Sequence, residues 1–324
     1  MHTASDSALA PAATAPANPA STPSLAKPAL SAMVLAALFA CYVIWGSTYL
    51  AIRFALQGYA PFFQMAVRFF LAGGLIFAWV LWREGSAGLP SKRQWLHALI
   101  VAALMLGGGM GFVVHASKRI NSGLIATFVA VVPMLTSLWG LLFRKLPTRL
   151  EILGMAVGLA GVAMLVRGSG FSSDPVGIAL MAGSTACWSL GSVLSTTKFP
   201  LAPGAGGFAS EMLCGGVLFT LLTLGAREPL PAWPLQLVPT AALLYLVVFG
   251  SIIGFSAYLY LLAHASPALA TSYAFVNPVI ALLLGMALGG ERVTRWEWLA
   301  TGVILGGVVL ILAGKSRPAH RPDA

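Results

Sequence analysis

Apolar runs of membrane length recur along this chain, each separated from the next by a short polar or breaker-rich stretch. They fall at roughly 31–52, 61–82, 95–115, 121–143 and 150–167, then at 177–197, 206–225, 237–262, 267–288 and 296–314. A bilayer-spanning helix needs about 20 apolar residues. The pattern therefore predicts an all-α polytopic membrane protein with ten transmembrane helices and little chain left for a soluble domain. Gly58 to Pro61, Pro90 to Arg93, Gly168 to Pro175, Pro200 to Gly207 and Glu228 to Pro234 read as the connecting loops.

Two of the runs share a design. In 266–285 Pro278 falls mid-span, with Thr271, Ser272, Tyr273 and Asn277 just ahead of it. In 122–140 Pro133 holds the matching place. A mid-helix proline removes one N–H and pushes away the carbonyl four residues back, here Ala274 and Val129. Lipid cannot satisfy a freed carbonyl, so both helices are expected to face protein or a wet cavity. Proline-interrupted segments at corresponding positions of two halves point to a transport site.

The halves align directly. Trp45 meets Trp188 and Gly73 meets Gly216 at a shift of 143, while Leu124, Pro133 and Gly140 meet Leu269, Pro278 and Gly285 at 145. After one gap, Thr148, Glu151, Leu153 and Gly161 meet Thr294, Glu297, Leu299 and Gly307. Each half carries five spans, an odd number, so the second must enter the membrane from the opposite face. The expected organisation is a tail at 1–29, repeats at 30–168 and 176–314, and a C-terminal tail at 315–324. The first 29 residues are rich in Ala, Pro, Ser and Thr; they cannot bury a core and lack the marks of a cleaved leader.

Composition sharpens this reading. Of 324 residues 58% are hydrophobic and 9% charged, against about 25% charged in a soluble domain, and mean hydropathy is +0.87. The net charge of +10 comes mostly from loop residues beside apolar runs, so it is assigned to membrane orientation, with no nucleic-acid partner. With the N-terminus inside, Lys27, Arg83, Lys92, Arg93, Arg144, Lys145, Arg149, Lys198, Lys315, Arg317 and Arg321 are cytoplasmic. Arg53, Lys118, Arg119, Arg167, Arg227, Arg292 and Arg295 are then outside. That excess predicts both termini in the cytoplasm. Cys41, Cys187 and Cys214 lie in apolar runs and read as packing residues.

Arg68 and Glu211 are the clearly intramembrane ionisable residues, at matching positions of the second and seventh spans. Helix rise sets Arg68 about 10 Å from the outer face and Glu211 about 9 Å from the inner one, so they lie roughly 11 Å apart in a core ~30 Å thick. Separate roles are expected. One reading makes Glu211 a proton carrier; the other has each residue anchoring a helix end or snorkelling to its interface. Trp45-Gly46-Ser47-Thr48-Tyr49 and Trp188-Ser189 either line a cavity or pack around small residues, and Tyr258 and Tyr260 are weaker candidates. Gly107 to Gly109, Gly111, Gly250 and Gly254 suggest close packing or bending. Gly154, Gly158 and Gly161, with Gly302, Gly306 and Gly307, read as packing ridges. No metal-ligand spacing, Walker sequence or clustered carboxylates occur, so neither a cofactor nor enzyme chemistry is expected, and a membrane-embedded enzyme is the distant alternative.

The stretches IWGSTY (44–49), VRF (67–69) and SPALATSYAFVNP (266–278) on a five-plus-five plan resemble the drug/metabolite transporter superfamily. The likeness is to its EamA-domain branch and, within it, to YedA-type exporters, and covers about 30–315. It implies an inner-membrane secondary carrier that exports amino acids, related metabolites or drugs, with lipid as its surroundings and the monomer or homodimer as its form. A uniporter of the same solutes is the alternative. The resemblance sets spans 1, 3, 4, 6, 8 and 9 around the path and spans 2, 5, 7 and 10 at the periphery. Expected path residues are Trp45, Ser47, Tyr49, Thr127, Pro133, Trp188, Tyr258, Ser272, Tyr273, Asn277 and Pro278. One turn departs from the family: Gly290-Glu291-Arg292 follows the ninth span, but Arg144-Lys145-Leu146 follows the fourth.

Overall fold

The computed structural model describes residues 31–143, 148–167, 174–195, 197–264, 273–290 and 292–315. Among them every regular element is helical. The spans are α1 (Ala32–Ala55), α2 (Pro61–Glu84), α3 (Lys92–Ala116), α4 (Ser122–Val129 and Val132–Gly140) and α5 (Arg149–Arg167). The second half holds α6 (Pro175–Ser195), α7 (Gly204–Gly225), α8 (237–264), α9 (Tyr273–Gly289) and α10 (Arg295–Lys315). Among the described residues seven helices are long and apolar enough to cross a bilayer, and shorter apolar helices lie at Ile152–Met164 and Val276–Leu288, inside α5 and α9. The start of the expected ninth span, with Thr271 and Ser272, lies outside the described residues, as do Arg144, Lys145 and Glu291.

Local chemistry explains the boundaries. The third span begins earlier than its apolar run, at Lys92, because Ser91 and Gln94 form a reciprocal capping box that starts the helix inside the expected loop. Asn121 caps α4 by accepting from Leu124 N–H at 2.8 Å. The recurring Thr-x-x-Glu gains a physical meaning at α10, where the Glu297 carboxylate accepts from Thr294 N–H at 2.7 Å. Glu228, from the connection after α7, accepts from Phe62 and Phe63 N–H at 2.9 and 3.0 Å and satisfies the first turn of α2.

Pro133 and Pro278 do different things. Pro133 opens the second piece of α4 after a break at Ala130–Val131, where its missing N–H is harmless. Pro278 stays inside a continuous α9. The matched prolines therefore yield one broken span and one unbroken one.

Packing reveals the inversion. α2 lies along α7 and α5 along α10 as the two most extensive pairings, and α4 packs on α9. α1 packs on α8 and α9, and its counterpart α6 packs on α3 and α4. A Cβ at Gly73 would come 3.0 Å from Met212 and Leu213, and one at Gly216 would come 2.9 Å from Phe70. Position rises along α2 as it falls along α7, so these equivalent helices are antiparallel. Gly161 against Ile304 and Gly307 against Gly154 and Gly158 give the same sense for α5 and α10. Antiparallel equivalents are what an inverted repeat requires. Large apolar side chains such as Phe39, Leu75, Trp82, Leu221 and Leu224 remain outside, as a lipid-facing surface demands.

At the α6 N-terminus Asp174 accepts from Gly177 N–H at 2.9 Å and pairs with Arg119 at 3.1 Å. The Gly177 bond first, and Arg119 with it, hold this carboxyl below the usual carboxylate range. Its stabilisation is therefore complete above the ordinary value near ~4 and is lost as pH falls through the lower folded value. Asp174→Asn should flatten the acid-side fall of the thermal midpoint between pH 6 and about 2. An acid limb identical to that of the unsubstituted protein would refute this.

Candidate substrate pathway

The third and eighth spans leave α geometry at equivalent places. Ala103–Met110 in α3 and Leu246–Ile253 in α8 are π-helical, offset by the same 143 residues that align Trp45 with Trp188. A π turn shifts the backbone ladder, a feature concentrated at functional sites. Side chains of the opposite repeat take up carbonyls there. Trp45 Nε1 donates to Gly250 O at 3.2 Å, and Ser184 Oγ donates to Gly109 O at 2.7 Å. The glycines also permit close approach: a Cβ at Gly108 would meet Cys187 at 2.7 Å, one at Gly109 would meet Trp188 at 3.0 Å, and one at Gly254 would strike Trp45 Nε1. Close packing and departure from α geometry thus occur together.

Around Trp45 the α1, α8 and α9 spans build an aromatic cluster. Tyr273 meets its ring edge-on at 4.6 Å, with Tyr258 at 5.3 Å and Phe255 at 5.4 Å. Tyr258 and Tyr273 also meet at 5.7 Å, and Phe208 of α7 closes on Phe255 at 5.6 Å. Asn277 is buried; with its amide nitrogen turned inward it donates to the carbonyls of Tyr42 (3.2 Å) and Tyr273 (3.1 Å). That ties α1 to α9 beside Pro278. Gly46 lets Ile280 of α9 lie against α1.

The other expected path residues are dispersed. Ser47 bonds Ile44 O and the Tyr245 hydroxyl, the latter at 2.6 Å. Thr127 is fully buried and faces Thr301 of α10 at 3.4 Å, a contact between α4 and α10. Trp188 lies against Gly109 and makes no ring contact with the Trp45 cluster. Trp139, unremarked in the sequence, donates to Ser189 at 2.9 Å. Tyr49 is buried in the main core, and Ser272 lies outside the described residues.

Arg68 and Glu211 are 3% and 5% exposed. Their helices, α2 and α7, pack on each other and on further spans of the opposite repeat. The two residues form no ion pair with each other; among the described residues the one resolved ion pair is Arg119–Asp174. Arg68 Nε instead donates to Ser251 Oγ in the π segment of α8 at 2.9 Å. α2 presents Phe70, Leu71 and Leu75 to lipid yet sends Arg68 inward, so its peripheral position does not keep this residue from the interior. One turn earlier Gln64 is fully buried, and its amide N and O, like Arg68 Nη1, have no hydrogen-bond partner. Orphaned polar atoms cost about 1–3 kcal/mol each. Gln64 was legible as an intramembrane amide, but a search restricted to ionisable residues passes it by.

A polar cavity of about 260 Å³ opens at the end of the bundle where α1 finishes and α4 begins. Arg53, Lys118, Arg119, Arg292 and Asn121 line it. Among the described residues no group of three or more His, Cys, Asp or Glu could hold a metal ion.

The EamA-like transporter family matches at residues 31–167 and again at 175–313. The chain belongs to that family. It is 44% identical over 284 residues to the uncharacterized inner membrane transporter YedA of Escherichia coli K12, covering 87% of this chain and 91% of YedA. It is 25% identical to protein PecM of Dickeya dadantii, over 83% and 88% of the two chains. A solved crystal structure of a protein 22% identical in sequence, covering 87% of this chain and 97% of its own, agrees with a TM-score of 0.63 and shares the fold. The protein is thus a membrane transporter of the drug/metabolite family.

Proposed function

We propose that this chain is a secondary carrier of the inner membrane that exports small metabolites, amino acids or related compounds and drugs, by alternating access. The observation that carries this reading is the pair of π segments at equivalent positions, each bonded by a side chain of the opposite repeat. Two half-sites of the same build on antiparallel repeats can exchange their inward and outward roles. The Trp45, Tyr258, Tyr273 and Asn277 cluster forms one wall of the path, and the broken α4 and the proline-bearing α9 supply the gating elements. Both termini lie in the cytoplasm, which puts the basic cavity at the outer mouth. Glu211, buried with no ion partner among the described residues, carries the coupling proton.

Counterflow of labelled metabolites in proteoliposomes, with and without a pH gradient, tests the reading. Accumulation that responds to the gradient is expected, and Glu211→Gln should remove the response while leaving counterflow measurable. Unchanged pH dependence in Glu211→Gln would end the proton role. Counterflow indifferent to the gradient in the unsubstituted protein would make it a uniporter.

A further inference from the structure

Gln64 and Arg68 are one turn apart on the face of α2 that packs on α8. Both are more than nine-tenths buried, and three of their polar atoms lack any protein partner. Nε of Arg68 is spent on Ser251 Oγ. Its Nη2 lies on the Cβ side of Gly250, where an added methyl would come within 3.3 Å. The carbonyl of that same glycine accepts from Trp45 Nε1. The guanidinium bonds the neutral Ser251 hydroxyl and lies 5.3 Å from the centroid of the Phe69 ring, and with no ion pair to a carboxylate among the described residues it is a buried charge without its counterion. Beside it is an amide able to donate to an oxygen and accept from an ammonium or hydroxyl.

We propose that Arg68 and Gln64 form the subsite that binds the carboxylate of the transported solute. This deepens the transport reading and rests on it for the word "transported". Arg68 Nη1 donates to one carboxylate oxygen and the Gln64 amide nitrogen to the group beside it, a charge-assisted pairing of planar groups. Ser251 fixes the guanidinium plane. The Gly250 backbone links the subsite to Trp45, so a solute anchored here by its carboxylate extends its apolar part toward the aromatic cluster. A side chain at 250 would crowd Thr48 Cγ2 at 3.1 Å and Arg68 Nη2 at 3.3 Å, so glycine is what lets the guanidinium approach the α8 backbone.

Thermal unfolding of the purified protein, with matched probes at saturating concentration, tests this. L-phenylalanine, L-leucine and benzoate are each compared with the corresponding carboxamide, and inorganic phosphate and phosphatidylglycerol serve as separate arms. At least one carboxylate should raise the midpoint by about 2–6 °C while its amide does not, and Arg68→Gln should abolish the rise. Gln64→Glu guards against a variant that fails to fold, because it supplies an internal carboxylate. It should raise the midpoint without ligand and eliminate the carboxylate response. Equal responses to acid and amide, or a carboxylate response that survives in Gln64→Glu, overturn the proposal, as does stabilisation by phosphate or phosphatidylglycerol alone. Carboxylate-specific stabilisation without counterflow supports the subsite and counts against transport. Counterflow with no carboxylate preference in binding overturns the subsite and spares the transport reading.

Discussion

Gly307→Leu should be the most damaging single substitution in the membrane region, lowering stability by at least ~3 kcal/mol, at or beyond the upper end of ordinary overpacking. A Cβ there would come within 2.6 Å of Gly154 O and Gly158 N, which are backbone atoms of α5 that no rotamer change can move aside. The two helices would have to separate along the contact that joins the ends of the repeats. Gly302→Leu is the matched control on the same helix, since nothing lies within 4 Å of its Cβ position. Thermal midpoints of the purified variants, with the yield of monodisperse protein, decide the matter. Similar midpoints for the two leucine variants would refute the close crossing.

Trp45→Ala should cost about 3–5 kcal/mol by opening a void among Tyr258, Tyr273 and Phe255, and should reduce counterflow more than tenfold. It also removes the donor to the Gly250 carbonyl, leaving that π-segment acceptor without its indole partner. Trp45→Phe separates the two effects, since it keeps a ring while losing the N–H. The phenylalanine variant should retain most of the stability but lose amide-exchange protection across 246–254. If it exchanges and transports like the unsubstituted protein, the indole bond has no part in holding the π segment.

Much of the architecture could be read from residue order because it depends on local properties. Hydropathy marks the spans, odd span number within each repeat forces the inversion, and Gly73/Gly216 and Gly161/Gly307 occur where helices cross closely. The repeated Thr-x-x-Glu was visible as a pattern before its capping role at Thr294 and Glu297 gave it a cause. Side-chain partnership was much less legible. Trp45 and Trp188 look equivalent in alignment, yet one sits in an aromatic cluster and the other lies against Gly109. Pro133 and Pro278 align equally well, yet one opens a helix piece and the other rides inside a continuous helix.

Residue order by itself determined that this chain fills a membrane with two oppositely directed five-helix units, because each span must satisfy its own backbone in lipid and that requirement is written locally. Only the tertiary structure decided that the third and eighth spans adopt π geometry, that Trp45 and Ser184 bond across the repeats, and that Arg68 turns inward to Ser251 beside Gln64. Those outcomes depend on which helix faces meet, and the meeting residues are separated by 75 positions for Ser184 and Gly109 and by 183 for Arg68 and Ser251. Pairings over such distances leave no periodic trace in the chain.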